Sequence, residues 1–182
     1  MKNRGILAIA IAVLVLAGGI PLVVSDGADA VDDGKACDGI LIYEVAAKFG
    51  SGTNEGFSLK NYGSSAVNLK DYYLTDSETV TDAHKFLITA NITLNSGEFV
   101  TFTKAAIADW FGDSTRTIYT YADKGTAGGS FTFTNSGDYL HLYNPSNELI
   151  DTVVFGSVTT TVAGWSGMPA DLGNKGDAVR RV

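Results

Sequence analysis

From Ile40 onward, apolar and polar residues alternate in short runs separated by turn residues. ILIYEVA (40–46) opens the series. In GFSLKNY (56–62), Phe57, Leu59 and Asn61 fall on one side and Ser58 and Lys60 on the other. YYLTD (72–76) and HKFLI (84–88) follow. LNSGEFVTFT (94–103) reads as a turn and then a strand, with Phe99, Thr101 and Thr103 opposite Val100 and Phe102. RTIYTYA (116–122), FTFT (131–134), DYLHLYN (138–144) and ELIDTVVFG (148–156) complete the set. Alternation with period two marks half-buried strands, and many short strands between turn signals predict an all-β sandwich or barrel. One stretch departs from it. In KAAIADWFG (104–112), Ala105, Ile107, Ala108 and Phe111 line a short helical face that Gly112 ends. GTAGGS (125–130) reads as a flexible loop.

The turn residues fix how the last strands pair. Asn135-Ser136-Gly137-Asp138 tolerates left-handed backbone, so FTFT can fold back into DYLHLYN. Asn144-Pro145-Ser146-Asn147 turns DYLHLYN into ELIDTVVFG, with Pro145 presetting φ. Leu140 and Leu142 then share one face, and Tyr139, His141 and Tyr143 the other. A slip of one residue would exchange the two faces, so these turns decide what is buried.

Upstream of the strands, Lys2 and Arg4 precede an uncharged run from Ile6 to Val24, and Ala28-Asp29-Ala30 resembles a cleavage site. Residues 1–30 thus read as a secretory signal. The run is also long enough for an N-terminal membrane anchor. Pro21 and Gly18-Gly19 favour processing, because they weaken a continuous helix. Either way the remainder is expected outside the cell or on its surface, since the basic start stays inside. Residues 31–39 are an acidic, Gly-rich linker, and residues 40–182 form the folded domain. Dropping Lys2, Arg4, Asp26 and Asp29 leaves the exported part at the net charge of the whole chain, −7. Such a surface gains nothing from counterion release on a phosphate backbone, so nucleic acid is disfavoured as a partner. The single cysteine, Cys37, lies in the linker and cannot form an internal disulfide.

Six pieces, in order, carry a family resemblance. They are Ile42-Tyr43-Glu44-Val45, Phe57-Ser58-Leu59-Lys60-Asn61, Val67 through Asp76, Leu94-Asn95-Ser96-Gly97, Phe133 through Leu142, and Asp151-Thr152-Val153-Val154-Phe155-Gly156. Together they resemble the lamin-tail domain of exported prokaryotic proteins. Tyr72 stands where the family usually has Trp, Asp71 where it has Gly, and the acid of its second strand is missing. The resemblance implies an immunoglobulin-like β-sandwich with a mostly non-catalytic, accessory role. In lamins such a domain contacts protein and DNA. In prokaryotes it accompanies membrane-anchored or secreted hydrolases and nucleases. Gly164-Trp165 through Val182 resembles the stretch that precedes a phospholipase-D-like domain in such proteins.

No constellation in the chain points to catalysis. His84 and His141 lack a third metal ligand at suitable spacing, and Phe86 occupies the third place of what would be a His-x-Lys motif. His141 reads as a strand-face imidazole without a partner. Asp71, Asp76, Glu78 and Asp82 cluster without the Gly turn of a calcium loop and read as a solvated acidic loop. GTAGGS lacks the Lys-Ser/Thr of a phosphate loop, so no cofactor is expected. Arg180-Arg181 reads as an exposed tail. Asn91-Ile92-Thr93 is a glycosylation acceptor sequence, making Asn91 a candidate modification site.

Tyr119, Tyr121, Tyr139, Tyr143 and Trp165 are candidate interaction residues, because Tyr and Trp present a flat apolar face with a polar tip. The expectation is a non-enzymatic, protein-binding module at the cell surface. A recognition domain of an exported nuclease or hydrolase, and a glycan-binding module, are the alternatives.

Overall fold

The alternating runs become two sheets packed face to face in the computed structural model, which describes residues 22–24, 39–49, 54–171 and 178–181. The strands are β1 (Leu22–Val24), β2 (Ile40–Phe49), β3 (Asn54–Asn61), β4 (Val67–Asn68), β5 (Tyr73–Thr75), β6 (Lys85–Ile88), β7 (Thr93–Leu94) and β8 (Phe99–Thr103). After β9 (Ile118–Thr120) comes the short helix α1 (Tyr121–Lys124), then β10 (Gly125–Ala127), β11 (Gly137–Tyr143), β12 (Leu149–Gly156) and β13 (Val179–Arg181). The first sheet runs β1-β13-β2-β3-β8-β9 and the second β10-β6-β5-β11-β12; β4 and β7 pair separately. Pairing in both sheets is antiparallel except between β8 and β9. Cys37, most of the linker and the apolar run from Ile6 lie outside the described residues; of positions 1–30 only β1 is described, paired with β13. No helix among the described residues is long and apolar enough to cross a membrane.

The core lies between the sheets. Ile42, Val45, Phe57, Leu59, Val100 and Phe102 from the first meet Leu74, Phe86, Ile88, Leu140, Leu142, Val153 and Phe155 from the second. A β-bulge sets which residues of β2 enter it. Ile40 and Ile42 point inward, the pairing with β3 shifts between Ile42 and Glu44, and from there Val45 and Ala47 point inward. Without the extra residue, Glu44 would inherit the inward phase.

Glu44 instead lies on the outer face of the first sheet, buried by the excursion between β8 and β9. Its carboxylate accepts from Trp110 Nε1 at 3.0 Å and Ser58 Oγ at 3.2 Å, and it pairs with Arg116 and Arg180. Here the structure corrects the expected helix at 104–112. Trp110 and Asp113 exchange backbone hydrogen bonds across Phe111-Gly112, whose φ angles are +51° and +83°. That is a tight turn, and Asp109 accepts the Gly112 N–H within it. Anchoring Trp110 to Glu44 outweighs a helix held by only a few apolar residues. Among the described residues the α-helix is α1, capped by Thr120 and Asp123 acting reciprocally.

Two other local readings are corrected. FTFT forms no strand. The N–H groups of Thr132, Phe133 and Thr134 donate instead to the carboxylates of Asp76, Glu55 and Asp138 at 2.9, 3.0 and 2.8 Å. Side chains thus supply the acceptors that a neighbouring strand would have supplied. The first half of GTAGGS is not a loop but β10, an edge strand on β6.

Arg180 and Arg181 are not an exposed tail. Arg181 is 1% exposed and lies against Asp151 of β12, with Nη2 at 2.9 and 3.2 Å from the two carboxylate oxygens. Ile42 of β2 donates its N–H to Asp151 at 2.8 Å and accepts from Arg181 Nε at 3.2 Å. This cluster closes the side of the sandwich where the edge of the second sheet meets β2 and β13.

Candidate interaction surface

The outer face of the second sheet is built in rows set by strand register. Leu87, Tyr73, Tyr143 and Leu149 are successive partners across β6, β5, β11 and β12. Lys85, Thr75, His141 and Thr152 form the next row. Tyr139 pairs with Val154 beyond it. Alternation along β11 sends Leu140 and Leu142 into the core and leaves Tyr139, His141 and Tyr143 on this face.

The rings form a ladder. Tyr73 and Tyr143 stack with centroids 4.8 Å apart and planes inclined by 4°. His141 lies 6.3 Å from Tyr143 and 5.1 Å from Tyr139. Lys85 Nζ sits 5.6 Å above the Tyr73 ring while pairing with Asp82. Tyr73 is 8% exposed, whereas Tyr139 and Tyr143 are half-buried and keep solvent-facing area.

One loop and one strap frame the ladder. The loop after β5 brings Glu78, whose N–H donates to Tyr139 Oη at 3.1 Å. The Glu78 side chain is 45% exposed, and its Oε1 lies 3.9 Å from His141 Nε2. The same oxygen accepts the N–H of Ala163 at 3.1 Å. Ala163 belongs to the segment after β12, and its carbonyl accepts from Thr152 Oγ1 at 3.1 Å. Thr152 Oγ1 also meets His141 Nδ1 at 2.9 Å. His141 is therefore fully buried under Glu78 and the strap, not the solvent-facing imidazole without a partner that strand alternation suggests.

The phenols report this environment. Burial raises the Tyr143 hydroxyl above its ordinary value, and the Glu78 charge adds to the rise. Burial also raises Tyr139; the Glu78 N–H opposes that, and the charges of Glu78, Asp138 and Asp76 reinforce it. Tyr73 is raised by burial and then by Tyr143. The face is thus aromatic, flat and set in a negative field.

The remaining sequence candidates lie elsewhere. Tyr121 is a correction: it is 5% exposed and belongs to the core, among Phe57, Phe86 and Phe131. Tyr119 and Tyr121 share one phase of the alternation, and the pairing of Tyr119 with Phe102 turns that phase toward the core. Tyr119 on β9 packs against the core beside Phe102, with Lys124 above its ring. Trp165 lies in the strap and packs partly against the core. Asn91 is exposed before β7, and its Oδ1 accepts from Asn68 Nδ2 at 2.9 Å. Of the five aromatic candidates, Tyr139 and Tyr143 therefore share the ladder.

Tyr73, Glu78 and Lys85 belong to the face without having been candidates for it. Row membership is not visible until β5 and β6 are placed beside β11. The signal for Tyr73 was the single apolar-facing Leu74 next to it in YYLTD.

The acids expected in one loop are dispersed. Asp76 accepts from Thr132 and lies 2.8 Å from His84 Nδ1, Asp82 pairs with Lys85, and Glu78 holds the strap. Among the described residues no group of three or more His, Cys, Asp or Glu side chains is placed to hold a metal ion.

No curated protein matches the chain. The model of the Lamin Tail Domain family matches residues 34–157, a span that runs from the linker through β12 and includes every strand of the aromatic face. Two packed sheets, the Glu44-Val45 strand, the β11–β12 hairpin and that match agree: the chain belongs to the lamin tail domain family.

Proposed function

We propose that this chain is a non-enzymatic, protein-binding module that works outside the cell or at its surface and engages its partner through the outer face of the second sheet. Immunoglobulin-like domains of this family are often used for protein interaction, which supports the general role. The observation that carries the assignment to this face is the stacked Tyr73–Tyr143 pair, continued by Tyr139, with Glu78 above it. Preformed aromatic surface with few rotatable bonds is what interfaces favour. Export rests on the basic start and apolar run of the first residues.

The test is affinity capture from the host's envelope fraction, with quantitative comparison between wild type and Tyr139→Ala/Tyr143→Ala. Proteins retained by wild type and by Tyr43→Ala, but lost by the double variant, are the expected result. A retained set indifferent to the double substitution would refute the assignment.

A further inference from the structure

We propose that the patch formed by Tyr139, Glu78 and Tyr143 is a receptor for a cationic side chain, arginine or lysine, carried by the protein partner. The proposal deepens the function given above and rests on its reading of this face.

Three observations lead to it. First, the ladder already holds a cation: Lys85 Nζ lies 5.6 Å from the Tyr73 centroid, and Tyr73 is stacked flat on Tyr143. The negative face of an aromatic ring attracts ammonium and guanidinium groups within about 6 Å. Second, the half-exposed Glu78 carboxylate lies over His141, between the two tyrosines that flank that ring. A cation seated against either ring therefore finds a counter-charge beside it. Third, the surrounding field has the right sign. The charges of Glu78, Asp138 and Asp76 all act on Tyr139, and Glu78 acts on Tyr143. The nearby basic groups are already engaged, Lys85 by Asp82 and His84 by Asp76. The whole chain carries −7 and steers a basic partner inward at low salt.

The alternatives fit less well. A phosphate or an acidic peptide would meet Glu78 directly. A neutral sugar could stack on Tyr143 and donate hydroxyls to Glu78, but would gain nothing from the negative charge of the whole chain.

The test titrates the full chain with fluorescein-labelled Arg-Gly-Arg-Gly-Arg and with the matched Ser-Gly peptide, following anisotropy. Binding of the arginine peptide is expected to weaken about fivefold to tenfold in Tyr143→Ala and in Glu78→Gln. Gln keeps the acceptor for the Ala163 N–H, so that variant preserves the strap and reads the charge alone. Tyr143→Phe is expected to bind as wild type does, and Glu98→Gln, in the exposed turn that leads into β8 of the other sheet, serves as the charge control.

Equal binding of the two peptides, or equal weakening by Glu78→Gln and Glu98→Gln, would overturn the proposal, the latter as diffuse attraction to an acidic chain. Failure here together with capture that still depends on Tyr139 and Tyr143 would remove the cation receptor and leave the interaction face. Capture indifferent to the tyrosines, beside site-specific peptide binding, would remove the protein-binding reading alone.

Discussion

Asp151 and Arg181 are both buried, and each solvates the other while Ile42 and Thr152 add hydrogen bonds to the pair. Removing one partner leaves a charge stranded in a medium that cannot hydrate it. Asp151→Asn and Arg181→Met are each expected to lower unfolding free energy by about 3–5 kcal/mol in denaturant titration. Replacing both at once, Asp151→Leu with Arg181→Met, should cost less than either single change. Asp138 behaves differently, because burial raises its carboxyl despite the N–H groups of Thr134 and Tyr139 that oppose the shift; Asp76 pushes it the same way. A folded pKa above the unfolded one means that the folded state binds the proton more tightly. The contribution is fully present below the ordinary carboxylate value of about 3.9 and is lost as pH rises through the raised folded value. The stability difference between wild type and Asp138→Asn should therefore shift in favour of wild type as pH falls through that window. A difference independent of pH would contradict the assignment.

At the scale of elements, the pairing of β11 with β12 closes on two facing glycines, Gly137 and Gly156, with φ of +147° and +70°. A Cβ on Gly156 would lie 2.5 Å from Gly137 Cα, so backbone and not a movable side chain would have to yield. Gly156→Ala is expected to cost at least about 1–2 kcal/mol from the left-handed conformation alone, read as a lower melting temperature. The turns at 135–138 and 144–147 were legible because turn residues carry their own conformational signature. Burial of Leu140 and Leu142, opposite Tyr139, His141 and Tyr143, followed from period two. What sequence did not reveal were segments whose backbone is satisfied from a distance. FTFT has the composition of a strand, yet Asp76, Glu55 and Asp138 take its N–H groups. KAAIADWFG has a helical face, yet Trp110 is drawn onto Glu44, 66 positions away in sequence. Tyr121 was misplaced because alternation sets Tyr119 and Tyr121 on one face without saying on which side the core lies.

For the whole molecule, the last strand matters beyond its length. β13 lies downstream of the family match, yet Arg180 reaches Glu44 and Arg181 reaches Asp151. One outer face and one open side of the sandwich thus depend on the same three residues. A chain ended before Val179 is expected to lose cooperative unfolding or to melt far lower, seen by circular dichroism. The side chains on the outer face of the second sheet make their own contacts. That face is held by Glu78, Thr152 and Ala163 and by the stack of Tyr73 on Tyr143. Substitutions of the half-buried Tyr139 and Tyr143 should therefore affect recognition more than stability. The most direct measurement is photo-cross-linking in the host, with a benzophenone side chain placed singly at Tyr139 and Tyr143 and at three exposed positions outside the ladder, Asn95, Thr115 and Lys70. Adducts of one common mass at Tyr139 and Tyr143, with none at the other three, are the predicted result. Adducts confined to Asn95, Thr115 or Lys70 would contradict it.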